Sequence, residues 1–192
     1  MRILFIFSFC CFLLSCAGDS SSVTSTTTPV SSGEAALPED GFFPVTEYIL
    51  GQITDIKNSA VNPLKKWGKD SSWIKIENLE KEFQPFLNPI IDTGNMKPLF
   101  RETKFLDKTI NAYTFVYEPK VMLPDSMELR SWLVYVDPKK NQVKKIYMTK
   151  SISDKQLQLT WESGKGCNIR TIVQKPDDQP KVESEIQYQW DF

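Results

Sequence analysis

The chain has 192 residues, with 23 Lys and Arg against 24 Asp and Glu and no histidine. So even a balance gives no basic surface on the scale that nucleic acid demands, and without imidazoles there is no His-based triad, acid–base pair or metal site. Apolar residues make up 41% of the chain and aromatic ones 12%, ample core for a domain of about 150 residues, so neither a disulfide nor a metal is needed to hold it and no cofactor is expected.

Behind Met1 and Arg2, the run from Ile3 to Leu14 is apolar or small without a break. A spanning helix needs about 20 such residues, so this stretch reads as a secretory leader that is cleaved off. It ends in Leu13-Leu14-Ser15-Cys16, which resembles the lipobox of bacterial lipoproteins. The resemblance implies cleavage after Ser15, diacylglycerol on the Cys16 sulfur and a further acyl chain on the freed amine, giving a stable lipid anchor in a membrane. An ordinary secretory leader cut near Ala17 is the alternative. By similarity to the sorting of Gram-negative lipoproteins, Ala17 behind the anchor points to the outer membrane, with the leaflet open; Asp19 could belong to a surface-export signal. Cys10 and Cys11 leave with the leader, so Cys167 is the one thiol of the mature chain without an acyl group. Its place in an apolar-alternating stretch predicts a buried, inert side chain.

Residues 16–38 hold the lipidated cysteine and a Ser/Thr-rich tether with almost nothing to fill a core. A flexible coil of that length sets the domain about 25 Å from the membrane on average. The globular domain is expected over 39–192. Val45, Ile49, Ile53 and Ile56 fall at helical spacing and predict a helix over about 44–58. Ile76, Leu79, Phe83, Phe86 and Leu87 predict a second, interrupted or redirected at Pro85 and ended near Asn88-Pro89. The stretch from Asn62 to Trp67 is a candidate short strand.

Beyond Asp92 the apolar period falls to two. Strands are predicted over 99–106, 109–118, 129–136, 142–149, 156–162, 167–174 and 182–191, with turns at Asp107-Lys108, Pro124 to Ser126, Asp137-Pro138, Ser151 to Asp154, Gly164 to Gly166 and Pro176 to Asp178. Such short connections force antiparallel neighbours. The fold expected is therefore α+β: two N-terminal helices packed on a curved antiparallel meander of six or seven strands. At fold level this resembles the lipoprotein receptors of the outer membrane, without a shared motif.

Few motifs carry chemistry. Ser72-Trp73-Ile74-Lys75 satisfies S-x-x-K, but the companion S-D-N and K-T-G elements are missing, so no catalytic residue is assigned. Asp177-Asp178 lacks calcium-loop spacing, and Gly164-Lys165-Gly166 reads as a hairpin turn. Lys139, Lys140, Lys144, Lys145 and Lys150 gather on one hairpin, where they could meet lipid phosphates, or could simply guard a sheet edge.

Two strands carry large side chains on both faces. Tyr113, Phe115 and Tyr117 oppose Ile110, Ala112 and Val116, while Trp132, Val134 and Val136 oppose Leu133 and Tyr135. A sheet with helices on one side needs only one apolar set, so either both faces are covered or a surface is kept for a ligand. The set Tyr113, Phe115, Tyr117 and Trp132 is taken as the candidate ligand-binding surface. The function expected is a non-enzymatic envelope lipoprotein that binds an envelope protein or an apolar molecule. The competing class is a hydrolase of cell-wall or polysaccharide material using Glu118, Asp125 and Glu128.

Overall fold

A computed structural model of the chain describes residues 41–173 and 179–191. The leader, Cys16, the tether and the Asp177-Asp178 turn lie outside the described residues. Helix α1 spans Val45–Asn58, with Glu47 in its first turn and Lys57 in its last, the signs that suit the helix dipole. Its Val45, Ile49, Ile53 and Ile56 are buried in one core with the sheet. Three polar side chains fix the helix along its length: Thr46 Oγ1 accepts from Ile91 N at 2.8 Å, the Tyr48 hydroxyl donates to Ser163 Oγ at 2.8 Å and Gln52 Oε1 accepts from Gly164 N at 3.1 Å.

The second helical stripe is not one helix. It runs as a 3-10 turn over Ile76–Asn78, α2 over Leu79–Glu82 and α3 over Gln84–Leu87. The break falls at Phe83, because the Pro85 ring cannot sit in a continuous helix against the carbonyl of Lys81. Leu79, Phe83 and Phe86 nevertheless reach the same core with no exposed surface. A further short helix, α4 over Thr93–Met96, is held by a capping box in which Asp92 and Asn95 satisfy each other's backbone amides at 2.9 and 3.2 Å. Among the described residues no helix is long and apolar enough to cross a membrane.

Among the described residues the sheet has nine antiparallel strands where six or seven were expected. They are β1 Leu64–Trp67, β2 Asp70–Trp73, β3 Phe100–Asp107, β4 Ala112–Pro119, β5 Leu129–Val136, β6 Val143–Ile152, β7 Lys155–Glu162, β8 Gly166–Val173 and β9 Lys181–Gln189. Their order is β2-β1-β9-β8-β7-β6-β5-β4-β3, so β3 to β9 form a meander and the β1–β2 hairpin docks on β9. The hairpin turns through Gly68 at φ 57°, a conformation that costs glycine nothing.

Register sorts the side chains into two faces. One row across the sheet reads Tyr117, Trp132, Met148, Leu159, Ile169 and Ile186, each directly opposite the next. This is the core face, covered by the helical segments. Rings from the helical segments interlock with it: Phe83 meets Trp161 at 5.2 Å and Tyr188 at 5.1 Å, and Phe86 meets Trp161 at 5.3 Å. Cys167 is buried here, which pushes its thiol pKa well above the ordinary value.

Candidate functional site

The aromatic set expected to line a groove belongs to the core. Tyr117 and Trp132 have no exposed surface and stack at 4.6 Å with their planes 8° apart. Phe42 packs edge-on against both, and the Tyr117 hydroxyl accepts from Phe43 N at 3.1 Å. Burial pushes the Tyr117 phenol well up, with Glu102 adding to the shift. Phe115 is buried too, and Tyr113 is half-buried; the Lys104 ammonium lies 4.9 and 5.3 Å from their ring centres. The expectation of an open ligand surface at Tyr113, Phe115, Tyr117 and Trp132 is therefore corrected: these side chains point to the face that the chain before α1 and the helical segments cover.

The opposite face carries the second apolar set. Val116, Leu133 and Tyr147 lie directly opposite one another on β4, β5 and β6, and Phe105, Thr114 and Tyr135 form the neighbouring row on β3, β4 and β5. Farther along, the same face turns polar, with Thr160, Asn168 and Gln187 on β7, β8 and β9. Phe105 is 47% exposed, whereas Thr114 between Phe105 and Tyr135 is only 2% exposed. A threonine on an outward face is sealed when large neighbours close over it, so these side chains form a contiguous patch rather than scattered apolar residues. Partial burial raises the phenol pKa of Tyr135 and Tyr147, opposed by the charges of Lys145 and Arg170 respectively.

At one end the patch runs into a cleft of about 670 Å³ lined by Ile110, Tyr135 and Val143 together with Lys140, Lys144, Lys145 and Lys165. Ile110 is 46% exposed. The β5–β6 turn that carries Lys139 and Lys140 is fixed by Asp137, whose carboxylate accepts from their backbone amides at 2.8 and 3.0 Å. Those bonds hold the Asp137 carboxyl below its usual pKa, aided by the Lys144 and Lys140 charges. Of the five lysines grouped in the sequence, Lys150 alone turns to the core, where it is 2% exposed.

A second cleft of about 620 Å³ lies by β1 and β9, with Trp67, Ile74 and Glu82 in its wall. Its three acids are already engaged: Glu183 pairs with Lys155 and Glu185 with Arg170, while Glu82 Oε2 accepts from Lys65 Nζ and from the Tyr188 hydroxyl, each at 2.7 Å. Burial raises the Glu82 carboxyl pKa less than those two bonds and the lysine charges lower it, so the net shift is downward.

The proposed acids do not gather in a cleft. Glu118, Asp125 and Glu128 are all exposed, and Glu118 pairs with Arg101 at 3.2 Å. Ser72 sits in β2 while Lys75 lies in extended backbone beyond it, so the S-x-x-K residues are not stacked on a helical turn. Among the described residues no group of three or more His, Cys, Asp or Glu could hold a metal ion. Compared with protein-family models, curated proteins and solved structures, the chain matches none, including any that would support the likeness to lipoprotein receptors.

Proposed function

We propose that the protein is a non-enzymatic binding module of the cell envelope, held at the outer membrane by lipid on Cys16, and that the outward face of β3 to β6 is its contact surface. The observation that carries this reading is the contiguous patch of Phe105, Val116, Leu133, Tyr135 and Tyr147 on the face opposite the helices. A sheet whose core already lies on one side has no structural need of large apolar side chains on the other. Their retention fits a surface that meets an apolar or amphiphilic molecule.

Two measurements test the reading. A chain beginning at Glu39 should bind a neutral apolar dye such as Nile red in its native state. Leu133→Ser with Tyr147→Ser should abolish the dye's blue-shifted emission while shifting stability by no more than about 1 kcal/mol, as outward-facing positions do. Dye binding that survives both changes would place the surface elsewhere. For the anchor, Cys16→Ser in the full chain should remove fatty-acid labelling and move the protein out of the membrane fraction. Labelling unchanged by the substitution would sink the lipid assignment.

A further inference from the structure

The cleft at the end of the outward face holds more positive charge than its acids take up. The turn between β5 and β6, the first residues of β6 and the turn between β7 and β8 bring Lys140, Lys144 and Lys165 respectively around it. Its two carboxylates are both committed: Asp137 to backbone amides of its own turn, and Glu162 to Lys145 at 2.8 Å. Among the described residues no carboxylate lies within ion-pair distance of Lys140, Lys144 or Lys165. Lys144 reaches only a carbonyl, that of Ile110, at 3.5 Å.

The same cleft has an apolar wall. Ile110 is nearly half exposed on it, and Tyr135 belongs both to the cleft and to the apolar patch that continues through Leu133 and Tyr147. Cations at one end and a greasy strip leading away from them match one kind of ligand. We propose that the cleft takes the phosphate head of an anionic amphiphile, the three unpaired ammonium groups meeting the phosphate oxygens and the apolar tail lying along Tyr135 and Leu133. Lysine suits this role because three flexible point charges can converge on one phosphate without the fixed planar geometry that a guanidinium imposes. The proposal rests on the outward face being the contact surface and names the ligand class for it.

The full chain, held in micelles of a neutral detergent, is titrated with monomeric dihexanoyl phosphatidylglycerol, dihexanoyl phosphatidylcholine and inorganic phosphate. The anionic lipid should bind about tenfold more tightly than the zwitterionic one, and the preference should shrink severalfold as salt rises to about 0.3 M. Replacing Lys140, Lys144 and Lys165 together by Gln should erase the preference. These side chains are exposed, so the melting temperature should stay put and show that the loss is not unfolding. Tyr135→Ser should weaken the lipid about tenfold and leave inorganic phosphate unchanged. Equal binding of the two lipids, or a preference that survives loss of the lysines, overturns the proposal. Inorganic phosphate binding as tightly as the anionic lipid also overturns it, by assigning the cleft to a free anion. Failure here with Nile red binding intact leaves the outward face standing as a contact surface, whereas loss of both removes the two readings together.

Discussion

Trp132→Ala should cost the protein about 3–5 kcal/mol, while Leu133→Ala, one residue on, should cost about 1 kcal/mol or less. The neighbours differ because the strand turns one to each face. Trp132 has no exposed surface, stacks on Tyr117 at 4.6 Å and receives the edge of Phe100 at 4.8 Å. Truncating it removes these two ring contacts and a third with Phe42, and opens a void that the surrounding side chains, fixed by the Tyr117-to-Ile186 row, cannot close. Leu133 is half-buried between Val116 and Tyr147 on the face opposite the helical segments. Tyr117→Phe gives an intermediate point: it removes the hydroxyl that accepts from Phe43 N and strands that buried amide, for a loss of about 2 kcal/mol. Urea midpoints of the three variants decide the matter. Small, equal losses at Trp132 and Leu133 would mean that the helical segments do not cover the face assigned to them.

The choice of face is where sequence reasoning goes astray, and the reason is nonlocal. In β4 and β5 both parities are apolar, so alternation within either strand cannot say which set is inward. The deciding information sits in β6, where Val143, Ile146 and Met148 alternate with Lys145, Tyr147 and Thr149. Met148 is inward on its own evidence, and Trp132 lies directly opposite it. Register therefore carries the inward assignment from β6 to β5 and on to Tyr117, and register is not written in any single strand. β1 falls inside the stretch offered as a short strand, but other elements escape for local reasons. β2 is only four residues, DSSW, with no alternation to detect. α4 is a single turn marked only by Asp92 and Asn95. The period-two stretches after Asp92, by contrast, are long enough to be legible, and the antiparallel pairing follows from the short turns between them. The lysine group of the β5–β6 hairpin is legible as charge; that three of its members and Lys165 share a cleft depends on the neighbouring turn.

Lys150 is the one lysine of that group whose sign of effect depends on pH. It stands on the inward face of β6 between Leu129 and Leu157, and its ammonium donates to the carbonyls of Pro85 and Asn88. The need for it is local. A helical carbonyl at residue 85 would bond the amide of residue 89, which is proline and has no N–H, so a side chain supplies the donor instead. Burial lowers the lysine pKa to about 8, with the charge of Glu128 pulling it back up. In the unfolded chain the same group titrates near 10.4. Below pH 8 both states carry the proton and the full cost of burying the charge is present. Between about pH 8 and 10.4 the folded protein has released the proton and the unfolded chain still binds it, so stability attributable to Lys150 rises with pH, by about 3 kcal/mol across the window. Total stability hides this, because the buried Cys167, Tyr117 and Tyr188, all with raised pKa values, stay protonated while their unfolded counterparts ionise, and so remove stability over the alkaline range. The comparison with Lys150→Met cancels those groups. Near pH 7 the variant should fall within about 2 kcal/mol of the native chain, since the stranded carbonyls and the relieved charge oppose each other. At pH 10.5 the native chain should lead by about 3 kcal/mol more than it does at pH 7, because a neutral amine still donates to both carbonyls at no charge-burial cost. A gap that does not change between the two pH values would show that the carbonyl dipoles fully compensate the ammonium, leaving the buried charge no more costly than a solvated one.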